Sequence, residues 1–93
     1  MSSPLFSILI PSRDRIELLR HALKSIEIQD SANYEIILSD NASSVRYEEN
    51  LADFSYLNIK FLRSEVPVSV TENWNRTVDA ATGEYLIMLG DDD

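Results

Sequence analysis

Apolar positions in this chain fall into short continuous runs and longer stretches with a three- and four-residue beat, and the two kinds alternate. Phe6-Ser7-Ile8-Leu9-Ile10 is rich in strand formers and stops at Pro11, which predicts a first strand, mostly buried. Asp14 can then cap a helix. From Ile16, the residues Leu19, Leu23 and Ile26 recur at helical spacing, with Leu18 and Ala22 widening the stripe and Arg20, Lys24 and Glu27 facing out. This predicts an amphipathic helix to about Gln29. The polar break Asp30-Ser31-Ala32-Asn33 leads to a second strand, Tyr34 to Leu38, ending in Ser39-Asp40-Asn41.

Beyond that strand the pattern thins. Ser43 or Ser44 can cap a helix with Glu48 and Glu49 near its positive end, its apolar side made of Tyr47, Leu51 and Phe54. Ile59 to Leu62 predicts a third strand, with Pro67 in the loop after it. Ser69-Val70-Thr71-Glu72 reads as a capping box, followed by an apolar face of Val70, Trp74, Val78 and Ala81, with Gly83 offering a left-handed C-terminal cap. On this reading Trp74 belongs to the core. Tyr85 to Leu89 is the fourth strand, followed at once by Gly90-Asp91-Asp92-Asp93. Strands alternating with helices imply βαβ units and right-handed crossovers, hence an α/β fold with a Rossmann-like, mostly parallel sheet flanked by helices. In such sheets ligands bind outside the carboxyl ends of the strands.

Composition narrows the function. A chain of 93 residues is one domain at most, and buries roughly 60–65% of its unfolded surface. Eight Lys and Arg stand against 16 Asp and Glu, a formal charge of −8, which argues against nucleic acid or anionic lipid as the main partner. The absence of cysteine excludes disulfides, thiolate zinc sites and cysteine nucleophiles. The single histidine, His21, excludes a multi-histidine metal site. Gly83 and Gly90, the only glycines, cannot form a Walker loop or a dinucleotide fingerprint. No apolar run approaches the roughly 18 residues of a membrane span, and no basic segment precedes the first one, so no signal peptide is expected and the location is expected to be cytoplasmic.

Three polar clusters follow predicted strands, and each has a chemical and a plain reading. Asp91-Asp92-Asp93 would repel one another unless a divalent hard cation, Mg2+ or Mn2+, neutralised them, since such ions take oxygen ligands and substrate phosphates; the plain reading is a solvated acidic tail. Asp40 could accept a hydrogen bond from a nucleobase N–H or a ribose hydroxyl, or simply form a turn. Arg13 and Arg15 offer guanidinium forks to phosphate or base, or open a solvated helix. Asn73 and Arg76 share a helix face by their i,i+3 spacing and could reach a ligand, with an ion pair from Arg76 to Glu72 or Asp79 as the alternative.

Taken in order, these segments resemble the N-terminal, nucleotide-sugar-binding half of family 2 glycosyltransferases of the GT-A fold. The family's strand into Pro-Ser/Thr-Tyr-Asn-Arg is matched by Ile8 to Arg15. Its Leu-x-Ser-Leu-x-x-Gln helix is matched by Leu23 to Gln29, and its Glu-Ile-Ile-Val-Val-Asp-Asp-Gly-Ser segment by Glu35 to Ser43. Ala80 to Leu86 followed by Asp91-Asp92-Asp93 is similar to the strand and DxD metal motif. Departures are Arg13 for Tyr, where a guanidinium contact would replace ring stacking on the base, and Gly90 for the first Asp, which leaves Asp92 as the metal ligand; Trp74 for Arg and Thr77 for Gly point to a subgroup with a different donor.

The resemblance implies a sheet order of 3-2-1-4 and transfer of a sugar from a nucleoside-diphosphate sugar to an acceptor hydroxyl, with inversion. It implies Asp92 as metal ligand with Asp91 as second ligand or ribose contact, and a donor site drawn from Pro11, Ser12, Arg13, Arg15, Asp40, Asn73 and Arg76. It places the catalytic base and acceptor site beyond the metal motif. On that basis residues 1–93 are expected to be a truncated donor-binding region, inactive alone and open to self-association through an uncovered strand edge, with the full-length enzyme peripheral to a membrane and engaged in polysaccharide biosynthesis. The alternative is a non-catalytic nucleotide-binding or interaction module. A phosphoacceptor receiver domain would need an Asp pair after the first strand, where Arg13-Asp14-Arg15 stands.

Overall fold

A computed structural model describes residues 4–28 and 33–89. The element order is β1 (Phe6–Ser12), α1 (Ile16–Ile28), β2 (Tyr34–Asn41), α2 (Tyr47–Asn50), a 3-10 turn (Ala52–Phe54), β3 (Ile59–Ser64), α3 (Val70–Ala80) and β4 (Tyr85–Met88). All four strands are parallel, in the order β3-β2-β1-β4, the arrangement the resemblance implied. Among the described residues no helix is long and apolar enough to cross a membrane.

Strand parity divides the sheet into two unlike faces. On one face the register stacks Ile8 beside Ile36 and Ile59, then Ile10 beside Leu38 and Phe61. Leu19, Leu23 and Ile26 of α1, with Tyr47, Leu51 and Phe54, close over this face as the main core. The other face carries Ser7, Glu35, Ser39 and Asn41 between Leu9 and Ile37, and all six are buried. It is the mixed face, and α3 covers it.

Several elements differ from the sequence expectation. Pro11 does not end β1, which runs on to Ser12. Leu9 offers its carbonyl to Leu89, so by alternation the Pro11 nitrogen also points to the β4 side, beyond the last register pair among the described residues, Leu9 with Met88. The second helix is a single turn without a side-chain cap, because Ser43 and Ser44 are engaged elsewhere. In α3 the Ser69 cap holds, its hydroxyl accepting from the Glu72 N–H at 3.0 Å. Trp74, however, is only half-buried, Val70 and Val78 are exposed, and the buried residues are Asn73 and Thr77.

Gly83 is not a left-handed cap either, since no glycine among the described residues has positive φ. Its role is steric: a Cβ there would lie 2.7 Å from Ser7 Oγ and 2.8 Å from the Phe6 carbonyl carbon. The close approach lets the Gly83 N–H donate to Ser7 Oγ at 2.8 Å while Ser7 donates to Glu35 at 2.6 Å. Glu35 also accepts from the Thr82 N–H and hydroxyl, at 2.7 and 3.0 Å. This clasp ties the α3–β4 turn to β1 and β2. β4 itself is an edge strand whose four residues are all exposed.

Candidate functional site

At the carboxyl ends of β1 and β2 two loops lock onto each other. The Asp14 N–H donates to Ser43 Oγ at 2.8 Å, and the Asp14 carboxylate accepts from the Ser44 N–H and hydroxyl at 2.7 and 3.0 Å. The two bonds from Ser44, backbone first, hold the Asp14 carboxyl below its ordinary range, helped by Arg13 and against its partial desolvation. Beneath the loops, the buried Tyr47 hydroxyl pairs with Ser12 Oγ at 2.8 Å and accepts from the Arg15 N–H at 3.1 Å. Asp14 and Ala42 hold φ of 53° and 54°, a left-handed backbone that these cross-links keep in place.

The loop lock sorts the candidate residues. Arg13 and Arg15 are exposed at the loop surface; Arg13 makes only a long contact to Asp14 at 3.9 Å, and Arg15 makes no ion pair among the described residues. Pro11 is half-buried beside them. Ser12 is turned inward onto Tyr47 and braces the loop. Asp40 is 2% exposed and lies within β2 rather than after it. Its Oδ1 accepts from the Ser43 N–H at 3.0 Å, and its Oδ2 accepts from Arg63, its register neighbour on β3.

Asn73 and Arg76 part company. The Asn73 carboxamide accepts from Ser39 Oγ at 2.6 Å and donates to the Ser39 carbonyl at 3.3 Å, so it binds the mixed face of the sheet and is closed to a ligand in this arrangement. Arg76 points toward the β3 flank and pairs with Glu72 at 3.5 Å, which is the alternative the sequence offered. The Asp91 and Asp92 metal assignment lies outside the described residues. Among the described residues no group of three His, Cys, Asp or Glu could hold a metal ion.

Sequence reasoning passed over Arg63, Tyr47 as a loop brace, and Glu35. For Arg63 the signal was parity, because it continues the Ile59–Phe61 side of β3 that faces the apolar core. For Glu35 it was a charged residue opening an apolar run. The Tyr47 hydroxyl had no local signal, since its partners are about 30 residues away in sequence.

Comparison with known proteins decides the family, because the profile described as "Glycosyl transferase family 2" matches residues 7–93, nearly the whole chain. The chain belongs to glycosyl transferase family 2. It is 36% identical over 93 residues to the GalNAc(5)-diNAcBac-PP-undecaprenol beta-1,3-glucosyltransferase of Campylobacter jejuni, covering 97% of this chain and 30% of that protein. It is 34% identical over 98 residues to a PGL/p-HBAD biosynthesis glycosyltransferase of Mycobacterium tuberculosis, covering 100% of this chain and 37% of that protein. The chain thus spans about a third of the length of these curated relatives.

Solved structures agree on the fold. The crystal structure of S. aureus TarS 1-349 superposes with a TM-score of 0.86 at 22% identity, covering 95% of this chain and 27% of that one. The mannosyltransferase PcManGT from Pyrobaculum calidifontis, in complex with GDP-Man and Mn2+, superposes with a TM-score of 0.84 at 18% identity, covering 99% and 28%. Within the family's motifs, the two left-handed positions here, Asp14 and Ala42, fall where the motif has Asn and Gly, the residue types that adopt this backbone most readily.

Proposed function

We infer that this chain is the donor-binding part of a glycosyltransferase that takes a sugar from a nucleoside-diphosphate sugar and passes it, with inversion, to an acceptor hydroxyl. The observation that carries the reading is the locked pair of loops at the carboxyl ends of β1 and β2. It sets the Arg13 and Arg15 guanidinium groups and the buried Asp40 at one edge of a family 2 fold. Guanidinium forks suit diphosphate oxygens, and a rigid loop spares the backbone part of the ordering cost at binding. Asp40 keeps lone pairs for a base N–H beyond the two bonds it already accepts. Pro11 restricts the loop at its root.

Asp92, with Asp91, is assigned to a divalent cation, Mg2+ or Mn2+; adjacent carboxylates after an apolar strand suit a hard cation, which when bound would offset charge on the departing diphosphate. The nucleotide complexes of other family structures, UDP with S. aureus TarS and GDP-Man with PcManGT, support a nucleotide ligand. The exposed β4 edge supports self-association of the isolated chain, which sedimentation reads directly.

Calorimetry with UDP, with and without Mn2+, tests the reading. UDP is expected to bind, more tightly with Mn2+ than without. Asp92→Ala should remove the Mn2+ dependence and Arg15→Ala should weaken UDP about tenfold, as loss of a charge-assisted hydrogen bond predicts. A titration indifferent to both substitutions would favour a non-catalytic interaction module.

A further inference from the structure

Tyr47 is 1% exposed and belongs to the main core cluster with Leu51 and Phe54. A phenylalanine would fill the same space, so packing does not explain the hydroxyl. An oxygen at the edge of an apolar cluster is tolerated only with hydrogen-bond partners, and this one draws two from the end of β1 and the loop after it. It accepts from the Arg15 N–H at 3.1 Å and pairs with Ser12 Oγ at 2.8 Å. A phenol has one proton to give, and the Arg15 N–H can only donate, so that proton is available to Ser12.

Arg15 stands at the head of α1. Its carbonyl accepts from the Leu19 N–H at 2.9 Å, which makes it the N-cap residue, and N–H groups at a helix head have no partner within the helix. The Arg15 N–H finds one 32 residues away, on the first residue of α2. The loops are also tied by Ser43 and Ser44 to Asp14, whose side chain is 48% exposed. Water competes for the bonds to Ser44, whereas the Tyr47 and Ser12 hydroxyls meet where they are buried. Arg15 thus has its backbone anchored while its side chain is left to solvent.

We propose that Tyr47 is a positioning residue for Arg15: its hydroxyl fixes the backbone from which the guanidinium reaches a diphosphate oxygen. The inference rests on the donor-binding reading of Arg15 above and goes beyond it by naming what sets that arginine in place. Without the hydroxyl, the Arg15 N–H and Ser12 Oγ lose a partner beneath the loop and recover one by turning to water. That turn moves the start of α1, and Arg15 with it. Binding groups must be held within about 0.5 Å of their productive position, so a small shift is read as lost affinity. Tyr47 itself touches no ligand and acts through Arg15 alone.

A double-mutant cycle on UDP affinity, with Mn2+ present, separates this role from bracing of the fold. Tyr47→Phe should weaken UDP and inorganic diphosphate by the same factor, about three- to tenfold, since both are held through Arg15. In an Arg15→Ala background the same substitution should change UDP affinity by less than about twofold, because the group it positions is gone. Hydrogen exchange on the unsubstituted chain needs no variant to fold: the Arg15 amide should exchange at least about tenfold more slowly than an unstructured amide. An Arg15 amide that exchanges freely, a Tyr47→Phe chain that binds UDP unchanged, or a loss equal in both backgrounds would overturn the inference and leave Tyr47 a brace of the fold, while nucleotide binding stands. If the unsubstituted chain binds neither UDP nor inorganic diphosphate, the donor-binding reading falls and the positioning role falls with it.

Discussion

In α1 the residues that recur at helical spacing, Leu19, Leu23 and Ile26, are the ones the fold buries. In α3 they are not: Val70 and Val78 stay exposed, Trp74 is half-covered, and the helix meets the sheet through Asn73 and Thr77. The cause is the surface beneath each helix. α1 packs on the oily face built by Ile8, Ile10, Ile36 and Leu38, whereas α3 packs on the face that carries Ser7, Glu35 and Ser39. A helix over polar groups must satisfy them, so the carboxamide of Asn73 outranks the indole of Trp74 for the inner position. Arg76, Asp79 and Ala80 flank β3, which turns the apolar stripe of α3 toward the β4 side, where Leu86 and Met88 are also exposed. A hydrophobic stripe marks a helix reliably, but it names the buried side only when the opposing surface is apolar.

Substitutions on the two helices sharpen the contrast. Leu23→Ala, a truncation in the oily core, should cost about 2–5 kcal/mol in urea unfolding, while Val78→Ala on the outer flank of α3 should cost under about 0.5 kcal/mol. Comparable losses at the two positions would show that the α3 stripe is covered in solution.

The clasp that fastens the end of α3 should give the next largest effect. Burial opposes ionisation of Glu35, but the hydrogen bonds from Ser7 and from the Thr82 N–H and hydroxyl, with Lys60 at 3.7 Å, outweigh it and hold the carboxyl below its ordinary 4.5. A depressed folded-state value means the contribution is complete above about pH 4.5 and disappears as pH falls through the folded-state value. Glu35→Gln should therefore cost about 1.5–3 kcal/mol at pH 7, with the difference from the parent shrinking as the pH is lowered below 4.5. A difference that stays constant down that acid limb would show that Glu35 does not titrate with folding.

A somewhat smaller loss than at the clasp is expected at the polar helix contact. Asn73→Ala strands the Ser39 hydroxyl against the sheet and should cost about 1–3 kcal/mol, and Asn73→Leu should recover none of it because the surface it meets is polar. Stabilisation by Asn73→Leu would show that the mixed face tolerates an oily helix and that the comparison of α1 with α3 is misdrawn.

Most of the architecture was legible along the chain. Strand runs, the α1 stripe, the Ser69 cap and the alternation of elements all arise from neighbours within a few residues, where spacing and capping chemistry act directly. The clusters Pro11 to Arg15 and Asp40 to Ser43 were also expected at the carboxyl ends of β1 and β2, where a parallel sheet brings its strand ends together, although Pro11, Ser12, Asp40 and Asn41 prove to be the last residues of the strands rather than loop residues. What stayed hidden depends on partners distant in sequence. Asp14 uses Ser43 and Ser44 some 30 residues on, which is why α2 lost its expected cap, and Asp40 meets Arg63 only through the β2–β3 register.

Sequence alone determined that the chain would form alternating strands and helices with polar, charged loops after the strands, since those features follow from local periodicity and local hydrogen bonding. Only the tertiary structure decided which side of α3 is buried, that Gly83 is needed for close approach rather than for a turn, and that the acceptor at Asp40 comes paired with a cation. Each of these depends on what a second, distant segment sets opposite the residue, and burial makes that neighbour's polarity and volume decisive.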